Sequence, residues 1–152
     1  SVIAMTKIFL PDMIKRGSGK IMVVSSVAAF SPPSSIQALY GPIKTFMNRF
    51  SDSININYNH KGITSTAVCP GFTVTGFHTA SGVQDEMDRV PKFMKFSAKR
   101  VASEAVEATL SGKSLCVPTK TYKILVFILK HVPESVMSLF GKGLAPGRYD
   151  KK

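Results

Sequence analysis

Apolar positions recur along this chain in two alternating rhythms. Val2, Ile3, Met5, Ile8, Phe9, Met13 and Ile14 fall at helical spacing, which predicts a helix over 1–15 with a broad apolar face. Pro11 lies inside it and is expected to bend or end it locally. Arg16-Gly17-Ser18-Gly19 reads as a turn and a helix stop. Lys20–Ser25 holds a short continuous apolar run, which predicts a strand buried on both faces, as in a parallel sheet. Ser31-Pro32-Pro33-Ser34-Ser35 is a loop by composition. Helical spacing returns from Ala38 to about Tyr58 through Tyr40, Ile43, Phe46, Met47, Phe50, Ile54 and Ile56, with Gly62 placed to cap its end.

Ile63–Cys69 predicts a second strand, closed by Pro70-Gly71. Residues 72–97 show weak periodicity and many turn formers, and read as a long surface excursion with at most one short helix. A third helix is expected over 102–110, a third strand over 114–117, and a last helix over 122–140, broken near Pro133. Helices alternating with strands predict an α/β fold with a parallel sheet and helices on both faces. Only three strands are readable, fewer than a doubly wound sheet normally has. The fold expected is the C-terminal half of a Rossmann-like doubly wound parallel sheet, with 1–152 a single partial domain.

Composition narrows the classes. The chain has 152 residues, 44% of them hydrophobic and 19% charged, which excludes a disordered chain and a disulfide scaffold. The longest apolar run, Ile124–Leu129, is far short of the roughly 20 residues that a membrane-spanning helix needs. No signal peptide is expected, and the first residues read as a helix already under way. Cys69 and Cys116 lack metal-ligand spacing and read as buried thiols in a reducing compartment. His60, His78 and His131 also lack ligand spacing, so no metal is expected. A cytoplasmic location is expected.

The net charge is +11 and unevenly spread. Residues 1–90 carry eight Lys/Arg against five Asp/Glu, and residues 91–152 carry twelve against four. A basic half can meet nucleic acid, an anionic membrane or a phosphate-bearing ligand, or can simply be solvated surface. The basic, apolar pattern from Tyr122 to Phe140 reads either as the last core helix with a wet face or as a peripheral membrane contact. No nucleic-acid partner is expected.

Three features fall at predicted strand ends. Ser25-Ser26 closes the first strand, Tyr40 and Lys44 open the next helix, and Pro70-Gly71-Phe72-Thr73-Val74-Thr75 follows the second strand. In open α/β sheets the ligand crevice lies at the carboxyl ends of the strands. Tyr40 and Lys44 are four residues apart and share a helix face. An ammonium near a phenol favours the phenolate, so that such a tyrosine can exchange a proton with an alcohol or carbonyl at neutral pH. A serine hydroxyl at the strand end can steady the same substrate oxygen. A Tyr-x-x-x-Lys pair alone is weak; the ordered combination is not. Phe77, Met87, Val90, Phe93, Met94 and Phe96 either line an apolar pocket or pack the excursion onto the domain.

The run GKIMVVSSVAAFSPPSSIQALYGPIK from Gly19 to Lys44 and the run CPGFTVTG from Cys69 to Gly76 resemble the core of the short-chain dehydrogenase/reductase family. Phe9-Leu10-Pro11-Asp12-Met13 resembles the end of its preceding helix. The resemblance covers about residues 1–117. It implies an NAD(P)-dependent oxidoreductase interconverting an alcohol and a carbonyl, a small-molecule substrate, and a homo-oligomer at full length. It places Tyr40 as catalytic acid/base. Lys44 stands where the family's lysine favours the phenolate and hydrogen-bonds the nicotinamide ribose. Ser26 matches the serine that orients the carbonyl, with Ser25 as the alternative. Pro70 and Gly71 shape the cofactor loop; Thr73 lies where backbone contacts the carboxamide, and Thr75 where a hydroxyl holds the cofactor. The cofactor implied is NADP or NAD, NADP first.

Two departures accompany the resemblance. Ser26 and Tyr40 are fourteen residues apart, one more than is usual in the family, and the 31–35 loop can absorb the extra residue. The family's glycine-rich phosphate loop, its ribose-reading residue, its Asn-Ala-Gly stretch and its relay asparagine lie upstream of the region matched here. The 152 residues alone are therefore expected neither to bind a dinucleotide tightly nor to turn over substrate. The competing expectation is a truncated half that serves as an interaction or membrane-surface module.

Overall fold

The computed structural model describes residues 1–32, 39–75, 90–133 and 136. Helix α1 spans Val2–Arg16, with the Ser1 hydroxyl accepting from the Ala4 N–H and Gly17 in a left-handed conformation (φ 67°) at its end. Gly17 N–H bonds Ile14 O and Ser18 N–H bonds Met13 O, a Schellman-type stop. Of the two expectations for Pro11, a bend or an end, the second does not occur: the helix runs on through it to Arg16. A proline removes one backbone donor, and a helix capped at both ends carries that loss.

Strand β1 (Gly19–Val24) and strand β2 (Ile63–Val68) pair in parallel along their full length, Gly19 opposite Ile63 and Val24 opposite Val68. Helix α2 (Tyr40–Tyr58) joins them, followed by a 3-10 turn over Asn59–Lys61 and by Gly62 at φ 75°. A Cβ at Gly62 would lie 2.1 Å from the Gly17 carbonyl oxygen, so both backbone freedom and close approach require glycine there.

Beyond β2, a two-residue strand β3 (Thr73–Val74) pairs in parallel with β4 (Phe96–Ser97), and a 3-10 turn covers Lys92–Met94. Ser97 then caps helix α3 (Ala98–Leu110), which begins one turn earlier than the apolar pattern suggests. Strand β5 (Leu115–Cys116) adds to β2, giving the order β1-β2-β5. Helix α4 (Lys120–His131) follows, and the expected continuation to Phe140 falls outside the described residues apart from Val136.

Alternation along β2 assigns the faces. Ser65 meets α2, its hydroxyl 2.7 Å from that of Ser51. Val68, on the opposite face, packs with Ala105 and Ala108 of α3 and with Cys116. Helices thus cover both faces of the sheet, as expected. The steps β1 to β2 and β2 to β5 run the same way across the sheet, yet their helices lie on opposite faces. The two crossovers therefore have opposite hand, although about 98% of such units are right-handed.

One strand expectation is corrected. β1 is not buried on both faces: Val23 is buried, but Met22 and Val24 are 38% and 57% exposed. β1 is an edge strand here, and only β2, nearly all buried, has the environment of a central parallel strand. Cys69 and Cys116 are both free thiols and both buried. They face opposite sides of the sheet: Cys69 reaches Asn48 of α2, and Cys116 reaches the Glu104 carbonyl of α3.

Where β5 falls short, Asn55 of α2 takes its place. Its Oδ1 accepts from the Ser65 N–H and its Nδ2 donates to the Ser65 C=O, both at 2.7 Å. Asn55→Ala would leave two backbone groups of a fully buried residue unpaired, so a loss of about 2–4 kcal/mol is expected in urea unfolding. A change within a few tenths would mean that water replaces the amide.

Candidate active site

Parallel pairing brings the carboxyl ends of β1 and β2 to one edge. The ladder continues beyond the strands: Ser25 N–H donates to Val68 O at 2.7 Å and Val27 N–H to Pro70 O at 3.0 Å. Cys69 N–H donates in turn to Cys116 O. Ser25-Ser26 and Pro70-Gly71 are thereby fixed side by side.

The two serines have different surroundings. The Ser25 hydroxyl, buried, donates to the Lys44 carbonyl at 2.9 Å and ties the first turns of α2 to the strand end. The Ser26 hydroxyl accepts from the Ala28 N–H at 3.2 Å, capping the 3-10 turn over Val27–Phe30. Its own proton has only a long 3.5 Å contact to Pro70 O. Of the two, Ser26 has the proton less committed to the protein.

Tyr40 is the first residue of α2 and is half exposed. One turn on, Lys44 Nζ lies 5.5 Å from the Tyr40 ring centroid. The same ammonium donates to Val24 O at 3.1 Å and lies 3.8 Å from Met47 Sδ. The end of β1 thus holds the lysine at the tyrosine. The Thr73 hydroxyl donates to Gly71 O at 3.1 Å, which shapes the loop after β2. Thr75, exposed, closes that described stretch.

The structure brings Tyr40 to Lys44, Ser25 to Lys44, and Ser26 to Pro70. It adds residues that the motif did not flag. Asn48 Oδ1 accepts from the Cys69 thiol at 3.3 Å. Burial pushes that thiol up, outweighing its hydrogen bonds to Ser25 and Asn48, so it remains protonated. Asn48 lies one turn beyond Lys44 on the same helix face, a spacing readable in the chain. Tyr122 of α4 is 1% exposed, and its hydroxyl accepts from the Phe72 N–H at 3.0 Å and donates to Met94 O at 2.8 Å. Burial raises its phenol, so it keeps the proton that it donates.

Met94 and Phe96 pack against the cluster of Cys69, Val117, Tyr122 and Val126, which favours the packing reading for those two. Phe93 is 69% exposed, and Phe77 and Met87 lie outside the described residues. The other face of α4 carries exposed Ile124, Phe127 and Ile128 among Lys123, Lys130 and His131. No helix of the described residues is long and apolar enough to cross a membrane.

The family model for short chain dehydrogenases matches residues 1–86. The chain belongs to the short-chain dehydrogenase family. It is 29% identical over 143 residues to a dehydrogenase/reductase SDR family protein 7-like of Drosophila melanogaster, covering 88% of this chain and 42% of that one. It is 36% identical over 75 residues to a very-long-chain 3-oxoacyl-CoA reductase of Anas platyrhynchos, covering 49% of this chain and 24% of that one. The chain thus spans less than half the length of these relatives. Its fold is similar to that of a short-chain dehydrogenase from Sphingobium yanoikuyae in complex with NADPH. The TM-score is 0.66 at 22% identity, over 91% of this chain and 52% of that one. A 7beta-hydroxysteroid dehydrogenase gives a TM-score of 0.70 at 16% identity, over 92% and 54% of the two chains. The α/β, Rossmann-like architecture follows from both.

The helix that carries Tyr122 is anchored by an acid. Thr119, just before α4, takes φ 71°, a left-handed backbone unfavourable for a β-branched residue. Glu104 Oε2 holds it by accepting its N–H at 2.9 Å, and pairs with Lys123 at 3.8 Å while Oε1 meets Arg100 at 3.3 Å. Burial alone would raise this carboxyl; the Thr119 N–H, Arg100 and Lys123 together outweigh it and hold it below the usual range. A lowered folded-state value means stabilisation that is present above the unfolded value and lost as pH falls through the folded one. Urea midpoints of the wild type should therefore fall on acidification below the usual carboxylate range, and Glu104→Gln should flatten that fall. Identical pH profiles would remove Glu104 from this role.

Proposed function

We propose that this chain supplies the substrate and nicotinamide end of an NAD(P)-dependent oxidoreductase that interconverts an alcohol and a carbonyl. The observation that carries the reading is Lys44 Nζ, pinned by Val24 O and held 5.5 Å from the Tyr40 ring centroid, beside the paired Ser26 and Pro70. In this reading Tyr40 gives a proton to the substrate oxygen in reduction and takes it back in oxidation. Lys44 places positive charge beside the ring whose oxygen becomes negative when that proton leaves. The Ser26 hydroxyl donates to the same substrate oxygen and orients the carbonyl.

The donor set fits the nicotinamide end of a dinucleotide. Lys44 has three N–H groups, of which Val24 O takes one and Met47 Sδ weakly takes another, leaving one for a ribose hydroxyl. The backbone of Pro70, Gly71 and Thr73, with the Thr75 hydroxyl, offers partners for a carboxamide and the adjoining phosphate. When bound, the nicotinamide supplies or accepts the hydride; NADP is the first choice. Residues 1–152 are read as one partial domain, the catalytic and C-terminal half of a Rossmann-fold dehydrogenase.

Tyr40→Phe tests the assignment directly. In the protein isolated from its source, turnover of a carbonyl panel with NADPH should fall by about 10²–10⁴-fold, with little change in substrate KM. Retained turnover would place the proton transfer elsewhere. Among the described residues, no helix N-terminus follows a glycine-rich turn that could cradle the pyrophosphate. An NADPH titration of this chain alone should show no stoichiometric binding at micromolar concentration, and a tight one-to-one endpoint would overturn that expectation.

A further inference from the structure

We propose that Tyr122 is a positioning residue: its hydroxyl locks the loop after β2 to the chain returning at Met94, so that the cofactor-facing loop and that packed segment are held as one unit. The proposal rests on the oxidoreductase reading for what that loop faces, and on geometry for the lock itself. The hydroxyl is saturated by two backbone groups, accepting from the Phe72 N–H at 3.0 Å and donating to Met94 O at 2.8 Å. Those residues lie on either side of the chain that leaves at Thr75 and comes back at Val90. Both partners are backbone groups, so the lock does not depend on which side chains residues 72 and 94 carry.

The ring adds a second constraint. A Cβ at Gly71 would lie 2.0 Å from Tyr122 Cζ, so the cofactor loop is seated directly on the phenol. Phe96 meets the same ring edge-on, with centroids 5.9 Å apart. Immediately beyond the lock the β3–β4 pairing begins, Thr73 opposite Phe96, preceded by Phe96 N–H to Phe72 O at 3.1 Å. Two strands of two residues have almost no stability of their own. Thr73, whose backbone is assigned to the carboxamide, therefore owes its place to a side chain from a helix near the other end of the chain. Tyr122 acts through Gly71–Val74 and is not itself catalytic.

Tyr122→Phe keeps the ring and removes both hydrogen bonds. Amide hydrogen exchange of Phe72, Thr73, Val74 and Phe96 should quicken by about tenfold or more, with Val23, Ala67 and Val68 unchanged. Unchanged exchange at Phe72 and Phe96, or an equal rise at every amide, would overturn the lock. Gly71→Ala, which displaces the ring while keeping the hydroxyl, should loosen the same amides and provides the test if the first variant folds poorly. In the protein isolated from its source, NADPH at millimolar concentration separates the two readings. Protection of Thr73 in the wild type that weakens in Tyr122→Phe supports the positioning role, and equal protection in both overturns it. No protection in the wild type, with faster exchange in the variant, keeps the lock and sinks the cofactor reading.

Discussion

The parallel pairing of β1 with β2, carried past both strands by Ser25 N–H to Val68 O and Val27 N–H to Pro70 O, is the constraint on which the site depends. Backbone hydrogen bonds are short and directional, so they place two loops from distant parts of the chain in one register. Side chains then fill in the remainder. Ser25 draws the first turns of α2 to the strand end, Val24 O takes the Lys44 ammonium, and Lys44 in turn stands at Tyr40. A one-residue slip of β1 against β2 would turn every side chain to the other face and dissolve this relation at once.

Much of this was legible in the residues. A continuous apolar run marked β1, the stretch closed by Pro70-Gly71 marked β2, and periodic apolar positions marked α1 and α2, because burial imposes those rhythms. Tyr40 and Lys44 share a face by helical geometry alone. What escaped was set by partners distant in sequence. The solvent-facing side of β1 depends on which neighbours the sheet has, and Met22 and Val24 look like core in isolation. The opposite hands of the two crossovers follow from where α3 packs, which no local spacing encodes. Thr73 and Phe96 form a strand pair too short to leave a period.

The same limit applied to the polar residues inside. Tyr122 resembled one more core aromatic in an apolar helix; its hydroxyl is informative only once Phe72 and Met94 are known to meet it. Glu104 has no spacing that singles it out among the charged residues of α3, and its carboxylate holds the left-handed Thr119 at the start of α4. In each case a single polar atom joins elements through backbone groups, which have no residue identity to betray the contact.

Asn55 carries a consequence of another kind. A sheet whose outer strand is only two residues long exposes peptide groups of the next strand as a template for a second chain. The Asn55 amide presents an N–H and a C=O in the manner of a peptide unit, and it occupies that template at Ser65. A helix side chain thus serves as a counterfeit strand, closing the sheet to intermolecular growth where β5 stops. The pairing that closes this stretch of β2 is supplied by the same helix that presents Tyr40 and Lys44.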